Sequence, residues 1–360
     1  MAKQIRIFAF GGNEVSPVGL TDENGKPIIP DIAMQWKRTA ETCKNISQII
    51  EAFPNDSYVL THGNGPQVGN VLLRSEYSRP ILPPIPLDVC GSDTQGSMGY
   101  MIAQILGNEL RAKRISKPVV GIVTQVVVDK DDPGFKNPTK FIGPSYTKEE
   151  AMERAQKDGW AVKLYKKDEK GNEIWRKVVP SPEPLDIVEF DLIESAIEQG
   201  MIPITVGGGG IPVIKVEPGE DGTFKCNYGI TYKDGKDAAI YSGVEAVIDK
   251  DLASALLGAM LIKRAKEKGE DVDVTLTIFT GEDGAKLNYQ KPNQVDLRHL
   301  TLEEAKKYYN EGHFPPGSMG PKILAIIKFL EAGGKRAYIS LTSKYLETLE
   351  GKAGTTIVNE

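Results

Sequence analysis

Four short segments carry glycines where a chain could contact a ligand with its backbone. They read FGGN at 10–13, HGNG at 62–65, VGGGG at 206–210 and GSMGPK at 317–322. A glycine costs roughly 0.5–1 kcal/mol relative to alanine in regular structure, so a run of them between two apolar segments requires a reason. One reason is a flexible loop, and another is a set of bare N–H groups that bind phosphate or carboxylate oxygens. The recurrence of such segments favours anion binding.

Three lysines could supply positive charge to the same ligand. Lys250 stands between Asp249 and Asp251, after an apolar segment and before an apolar helical one. Lys322 lies at a predicted helix start, where the backbone favours anions, and Lys140 lies in NPTK. Lys250 alone could be an exposed turn residue, but the three lysines together with the glycine segments predict a phosphate site. The sequence contains neither GxxxxGK[ST] nor GxGxxG, so the site differs from a P-loop and from a dinucleotide fingerprint.

The elements that must position these residues alternate between strands and helices. Residues 4–10 form an apolar strand, and residues 31–53 place apolar side chains at steps of three and four, which indicates a helix. The same alternation recurs, so we expect an α/β protein with a three-layer αβα sandwich around a mainly parallel central sheet. The segments PVVGIVTQVVVD and GVEAVIDK are expected to supply further strands, the first of them central. All the glycine segments would then follow strands and converge at one sheet edge.

Two segments interrupt this alternation. Residues from about 130 to 181 are rich in proline and polar side chains and contain two predicted strands that turn at Lys170-Gly171-Asn172. We interpret this segment as a small β-hairpin subdomain that protrudes from the sheet. Residues from about 217 to 240 are polar and glycine-rich, and we interpret them as a surface insertion. The whole chain, residues 1–360, is expected to be one domain.

Composition excludes several other classes of protein. The chain is 40% hydrophobic and 26% charged, which is typical of a globular protein, and its net charge of -5 argues against a general nucleic-acid binder. Its apolar segments are shorter than the ~18–20 residues that cross a bilayer, so we expect no membrane partner and a cytoplasmic protein. Cys43, Cys90 and Cys226 form no CxxC pair and are expected to be reduced. The histidines are too scattered for a zinc site, so we assign no protein metal ligands.

Eight motifs are distributed over most of the chain. They are HGNGPQVGN, PLDVCGSDTQGSMGY, DPGFKNPTKFIGPSYTKEEA, VVPSPEPLDIVE, GGGGIPV, GVEAVIDKDLASALL, EGHFPPGSMGPKI and LEGKAGTTI. These motifs, in this order, resemble those of carbamate kinases. The resemblance to this family, which has the amino-acid-kinase fold, implies an eight-stranded, mainly parallel sheet and a homodimer. It also implies that ATP or ADP with Mg²⁺ and a small carbamate-like acceptor are the ligands. The implied reaction is direct in-line phosphoryl transfer between ATP and carbamate, which gives ADP and carbamoyl phosphate.

The family pattern also implies roles for individual residues. Around the acceptor and the transferred group it places Gly11, Gly12, Asn13, Gly63, Asn64 and Gly65. The resemblance also implies that the protruding subdomain, residues from about 130 to 181, is a lid that closes over the acceptor, and Lys140 would reach the acceptor from it. Lys250 and Lys322 would neutralise phosphate charge, and Asp251 would orient these lysines. The nucleotide and its phosphates would be contacted by Gly207, Gly208, Gly209, Gly210, Met319 and Gly320.

Three departures from the family pattern bear on specificity. Glu14 stands where alanine is usual, and it either faces solvent, caps a helix or contacts the acceptor. Asp93 replaces a residue that is usually apolar. The segment TGEDGAK, 280–286, replaces Thr-Asp-Val-Asp-Ala-Val-Tyr, which makes Lys286 a candidate for nucleotide specificity. If Glu14 and Asp93 contact the acceptor, replacing either with alanine changes acceptor preference, and unchanged selectivity would count against that role.

Two other functions remain open at the level of sequence. One is a kinase of the same fold that acts on a different carbamate-like or carboxylate acceptor, which Glu14 and Asp93 motivate. The other is a nucleotide-binding regulator that has lost turnover, since one fold serves many functions. Acceptor profiling distinguishes the first, and nucleotide binding without turnover would indicate the second.

Overall fold

A computed structural model describes residues 2–17, 20–23, 28–168, 171–233 and 238–359. Its strands, in chain order, are β1 (Lys3–Phe10), β2 (Ser57–His62), β3 (Val119–Gly121), β4 (Gln125–Val128), β5 (Lys140–Tyr146), β6 (Val162–Lys167), β7 (Glu173–Val179), β8 (Pro184–Ile187), β9 (Ile202–Ile204), β10 (Ile211–Lys215), β11 (Phe224–Lys225), β12 (Thr231–Tyr232), β13 (Tyr241–Gly243), β14 (Val272–Phe279), β15 (Ala285–Leu287), β16 (Val295–Leu297), β17 (His299–Thr301), β18 (Arg336–Ser340) and β19 (Thr355–Val358). Its helices are α1 (Gly12–Val15), α2 (Ile32–Ala52), α3 (Gln67–Ser78), α4 (Leu87–Ala112), α5 (Pro133–Lys136), α6 (Lys148–Asp158), α7 (Phe190–Glu198), α8 (Lys250–Lys268), α9 (Leu302–Asn310), α10 (Met319–Glu331) and α11 (Tyr345–Leu349).

The central sheet has eight strands in the order β17-β19-β18-β14-β1-β2-β9-β3. Neighbouring strands are parallel except β18 and β19, which are antiparallel. The predicted mainly parallel sheet is therefore confirmed. Because β14, β1, β2 and β9 are adjacent and parallel, their carboxyl ends lie side by side at one edge of the sheet.

Both faces of this sheet are covered by helices. In β1 the side chains alternate, so that Ile5, Ile7 and Ala9 join one apolar core while Phe8 and Phe10 join another. The first core includes side chains of α7, α8, α9 and α10, and the second includes side chains of α2, α4 and α11. The predicted three-layer αβα sandwich is confirmed, and α2 begins after Asp31, whose carboxylate accepts a hydrogen bond from Met34 N at 2.7 Å.

The segment PVVGIVTQVVVD does not form a central strand, so that prediction is wrong. It is divided into β3, at the edge of the central sheet, and β4, which lies in a separate four-stranded sheet of order β13-β10-β4-β8. The division falls at Thr124, whose N–H donates to Gln95 Oε1 at 2.7 Å and whose hydroxyl donates to Ile122 O at 2.8 Å. Hydrogen bonds of side chains here replace the backbone hydrogen bonds that a continuous β-strand would make with its neighbours.

The segment GVEAVIDK also differs from its prediction, because residues 244–249 form no strand. Ala246 and Ile248 are buried, and the neighbouring amide of Val247 donates to Pro180 O at 3.0 Å. The apolar pattern there reflects burial of an irregular segment.

Strands β5, β7 and β6 form a separate antiparallel sheet with α6 beside it. The two predicted strands of the hairpin correspond to β6 and β7, which pair antiparallel, and β5 adds a third strand. Lys170, in the predicted turn, lies outside the described residues. We call β5, β6, β7 and α6 the antiparallel unit, and its action as a lid stays a prediction.

The predicted insertion at 217–240 contains the short hairpin of β11 and β12, and its residues 234–237 lie outside the described part of the chain. In the described ranges, no helix combines the length and apolar character needed to cross a membrane.

Candidate active site

Three of the glycine segments meet where β1, β2 and β9 end. A Cβ atom on Gly12 would lie 3.2 Å from Gly65 Cα, so the first two loops are in backbone contact. Gly63 N donates to Phe10 O at 2.9 Å, and Asn64 Nδ2 donates to Gly208 O at 3.4 Å, which joins the second loop to the third. The structure therefore brings these predicted residues together. The fourth segment, GSMGPK, does not follow a strand as expected but leads into α10.

The four glycines from Gly207 to Gly210 are buried and enclosed by the protein itself. Gly208, Gly209 and Gly210 have φ of 66°, 93° and 91°, a region that side chains rarely adopt. A Cβ on Gly208 would lie 1.9 Å from Asn64 Oδ1, and one on Gly210 would lie 2.1 Å from Val126 Cγ2. Packing against protein atoms thus requires these glycines, a reason that the sequence did not reveal.

Gln95 and His62 support the glycine run and were not singled out from the sequence. Gln95 Nε2 donates to Gly207 O at 2.9 Å and to Thr124 O at 3.1 Å, which fixes the start of the run. His62 Nδ1 lies 3.0 Å from Gly63 O, and a Cβ on Gly207 would lie 2.5 Å from His62 Nε2. Burial lowers the pKa of His62 to about 4, which keeps the imidazole neutral at pH 7. Gln95 and His62 lie in quoted family motifs, but only the fold reveals these contacts.

The first turn of α8 carries a buried lysine–aspartate cluster. Asp249 caps the helix by accepting hydrogen bonds from Asp251 N at 2.9 Å and Leu252 N at 3.3 Å. The Lys250 ammonium group forms an ion pair with one oxygen of Asp251, and Lys322 Nζ lies 3.0 Å from the other. The structure therefore brings together the two predicted phosphate-binding lysines, one from α8 and one from α10, on the carboxylate of Asp251.

The electrostatics of this cluster are dominated by burial and by the ion pairs. Burial alone would raise the pKa of Asp251, but the two ammonium groups outweigh it and lower the pKa to about 2. Burial lowers the pKa of Lys250. The pKa of Lys322 is raised because the attraction of Asp251 exceeds the effect of burial. Asp251 is therefore ionised at neutral pH and can hold both lysines in place.

Lys140, at the start of β5, extends the cluster to the antiparallel unit. Its Nζ lies 3.5 Å from Asp249 Oδ2, and its side chain remains 43% exposed. Met319 and Gly320 form the first turn of α10, and Gly320 is buried where a Cβ would lie 3.0 Å from Pro315 O. Below, Lys140, Lys250 and Lys322 are called the site lysines.

The three departures from the family pattern lie in different surroundings. Glu14 is only 2% exposed, so the expectation that it could face solvent is wrong. Asp93 is exposed on α4. Lys286 lies in β15, 3.7 Å from Glu282 and 3.8 Å from Asp296, and is therefore paired with carboxylates.

A cavity elsewhere in the molecule can be distinguished from this site. This cavity, of about 570 Å³, lies between α3 and the antiparallel unit and is lined by Arg79, Trp160 and Lys177 among others, but by none of the site lysines. Within the described ranges, no group of three or more His, Cys, Asp and Glu side chains could hold a metal ion.

The fold, with glycine loops and buried lysines at the carboxyl edge of a parallel sheet, is that of the kinases with the amino-acid-kinase fold. No family model matches the chain. It is 44% identical over 357 residues to the carbamate kinase of Thermococcus kodakarensis, covering 98% of this chain and 99% of that one. It is 39% identical over 355 residues to carbamate kinase 2 of Enterococcus faecalis, covering 98% of each chain. A solved carbamate kinase from Giardia lamblia bound to AMP-PNP is 35% identical, has a TM-score of 0.79, and is matched over 100% of this chain and 99% of its own. The chain belongs to the carbamate kinase family.

Proposed function

We propose that the protein transfers a phosphoryl group between ATP and carbamate, with ADP and carbamoyl phosphate on the other side of the reaction. The observation that carries this proposal is the buried cluster of Lys250, Asp251 and Lys322 beside the loops that follow β1 and β2. A protein that merely binds nucleotide has little use for two buried ammonium groups held on one carboxylate. Phosphoryl transfer needs them, because negative charge is brought together from two substrates and spreads over the transferred group.

The acceptor requires no general base, since carbamate is already an anion. The difficulty is electrostatic, and Lys250 and Lys322 would reduce it by neutralising the phosphate oxygens in the transition state. Lys250 and Lys322 would contact the transferred group, while the negative charge of Asp251 offsets the repulsion between the two ammonium groups. Lys140, held on Asp249, would contact the acceptor from the antiparallel unit. The acceptor would be surrounded by backbone and amide groups of Gly11, Gly12, Asn13, Gly63, Asn64 and Gly65.

The nucleotide would lie on the side of the glycine run. The amides of Gly209 and Gly210 donate to Val206 O and Gly207 O at 3.0 Å each, so the amides of Gly207 and Gly208 are our candidates for contact with phosphate oxygens. Met319 and Gly320 would frame the nucleotide from α10, and Lys286 would affect which nucleotide is preferred. Mg²⁺ would enter as the complex with ATP or ADP, the usual way in which kinases receive it.

The deciding experiment is ATP formation from carbamoyl phosphate and Mg-ADP by the purified protein. We expect turnover in the wild type, and a fall in kcat of ~10²–10³-fold or more in Lys322→Ala, the effect typical of removing one transition-state donor. Lys263→Ala is the matched control, because Lys263 lies on α8 with its side chain 80% exposed. Full activity in Lys322→Ala would contradict the assigned role.

The alternatives predict other outcomes in the same assay. If the folded protein binds nucleotide but does not turn over carbamoyl phosphate, either its acceptor is not carbamate or the protein is a nucleotide-binding regulator. Acceptor profiling of wild type, Glu14→Ala and Asp93→Ala would then separate these two.

We also infer a cytoplasmic homodimer. The three cysteines are free thiols, which suits a reducing compartment. The homodimer is supported by exposed apolar side chains near the open edge of the sheet. Tyr100 of α4 is 60% exposed, and Val123, beyond β3, is 49% exposed. Light scattering of the purified protein tests the assembly, and a monomer at working concentrations would contradict it.

A further inference from the structure

Glu14 is a buried carboxyl group at the acceptor side of the site that the reaction described above does not use. Its side chain turns back over the loop after β1, where Oε2 lies 2.9 Å from the position that a Cβ of Gly11 would occupy. Oε2 is buried and has no hydrogen-bond partner among the described residues. A buried polar atom without a partner costs stability, so its presence calls for an explanation.

Three cationic side chains act electrostatically on this carboxyl. They are Lys250 of α8, Lys322 of α10 and Arg38 of α2. Arg38 is engaged elsewhere, because its Nε donates to Asn13 O at 2.7 Å and its Nη1 lies 3.0 Å from Glu41. Burial outweighs these cations and raises the pKa of Glu14 above its ordinary value.

The charge of the site depends on the protonation state of Glu14. When Glu14 is ionised, the three site lysines are balanced by Asp249, Asp251 and Glu14, and the cluster has no net charge. When Glu14 is neutral, one positive charge remains. An anionic substrate repels the carboxylate and is attracted by the remaining charge, so binding of the substrate and of a proton favour each other.

We propose that Glu14 takes up a proton from solvent when an anionic substrate enters the site, and that the neutral carboxyl group then donates a hydrogen bond from Oε2 to that substrate. No covalent bond is formed or broken in the substrate, and the proton returns to solvent when the product leaves. Glu14 is thus a specificity-determining residue that couples acceptor affinity to pH. This inference rests on the proposed function for the identity of the acceptor.

The test compares wild type with Glu14→Gln, which keeps the shape of the side chain and cannot ionise. The first readout is the KM for carbamoyl phosphate, with Mg-ADP saturating, from mildly acidic to mildly alkaline pH. We expect the ratio of wild-type to variant KM to rise with pH, with a slope approaching tenfold per pH unit above the pKa of Glu14, because a single proton is linked to binding. The titration of the substrate itself affects both proteins equally and cancels in the ratio.

The second readout is proton uptake measured by calorimetry in two buffers of different ionisation enthalpy, with inorganic phosphate as the probe. We expect more uptake in wild type than in Glu14→Gln. Asp273→Asn is the matched control, since Asp273 is also buried but lies at the opposite end of β14, 2.9 Å from Arg336, and this variant should behave as wild type.

A KM ratio that does not change with pH, equal proton uptake in wild type and Glu14→Gln, or no phosphate binding by wild type would each overturn the proposal. The phosphate arm does not require carbamoyl phosphate to be the substrate. Glu14-dependent uptake in a protein that forms no ATP would therefore reject the proposed acceptor and support the role of Glu14.

Discussion

Asp251 and Glu14 are both buried carboxyl groups near the same lysines, yet their surroundings move their pKa values in opposite directions. Asp251 contacts two ammonium groups directly and is ionised, whereas Glu14 has an oxygen without a partner among the described residues and its pKa is raised. Direct ion pairs offset the loss of water, and more distant charges do not. The same kind of group can therefore hold Lys250 and Lys322 at one position and, as we propose for Glu14, respond to protons at another.

The stability of the protein should depend on pH through His62. Its pKa is lowered from 6.5 to about 4, so between these values the unfolded chain binds the proton more strongly. The free energy of unfolding should therefore fall as pH decreases through this range, by up to roughly 3–4 kcal/mol at ~1.4 kcal/mol per pKa unit. Urea unfolding at several pH values measures this, and His62→Gln should lose most of the slope. The exposed His299 provides the control variant, and a wild-type slope in His62→Gln would exclude His62 as its origin.

At the scale of elements, the conformation of the glycine run between β9 and β10 is determined by packing. It passes between Asn64 on one side and Val126 of β4 on the other, with Gln95 of α4 holding its first carbonyl. A loop held this firmly can present backbone amides to a ligand without an entropic cost of ordering at each binding event. Rigidity, rather than flexibility, is the property that the run contributes.

A variant pair tests that statement. Gly210→Ala would place a Cβ 2.1 Å from Val126 Cγ2 at φ 91°, whereas Gly222→Ala has a similar φ of 72° with open space around it. Both changes strain the backbone, but only the first also overpacks the core, so it should lower the free energy of unfolding by ~1–3 kcal/mol more than the second. Equal losses in urea unfolding would show that the run tolerates side chains.

At the scale of the whole molecule, a network of charged side chains from α6 to α3 helps to attach the antiparallel unit to the sandwich. Arg154 of α6 pairs with Glu76 of α3 and, at 2.6 Å, with Asp158, which also lies 3.2 Å from Arg79. The Glu76 side chain is only 9% exposed, so this network is better shielded from water than ordinary surface pairs. Lys140 belongs to β5 of this unit, so its position relative to Lys250 and Lys322 depends on how the unit is packed against the sandwich.

Removing Arg154 should loosen the antiparallel unit and leave the central sheet intact. We expect Arg154→Ala to increase amide hydrogen exchange in β5, β6 and β7, with little change in β1 and β14, because the ion pairs of Arg154 oppose opening of this unit only. If Lys140 contacts the acceptor, KM for carbamoyl phosphate should rise as well. Lys157→Ala removes an exposed pair on the same helix and is the control. Unchanged exchange in Arg154→Ala would mean that other interactions hold the unit.

The sequence by itself determined the layers and the position of most elements, and it predicted Lys250, Asp251 and Lys322, which the structure brings into contact. Strand and helix periods are local properties, and β1, α2 and the lysines of α8 and α10 could be recognised from them and from the family motifs. Tertiary structure alone decided three points. It divided PVVGIVTQVVVD between two sheets, because Gln95, which is distant in sequence, accepts the hydrogen bond of the Thr124 amide. It buried Glu14, and it enclosed the glycine run between Asn64 and Val126. Each depends on which distant side chain occupies the neighbouring space, and a local pattern of residue types carries no record of that.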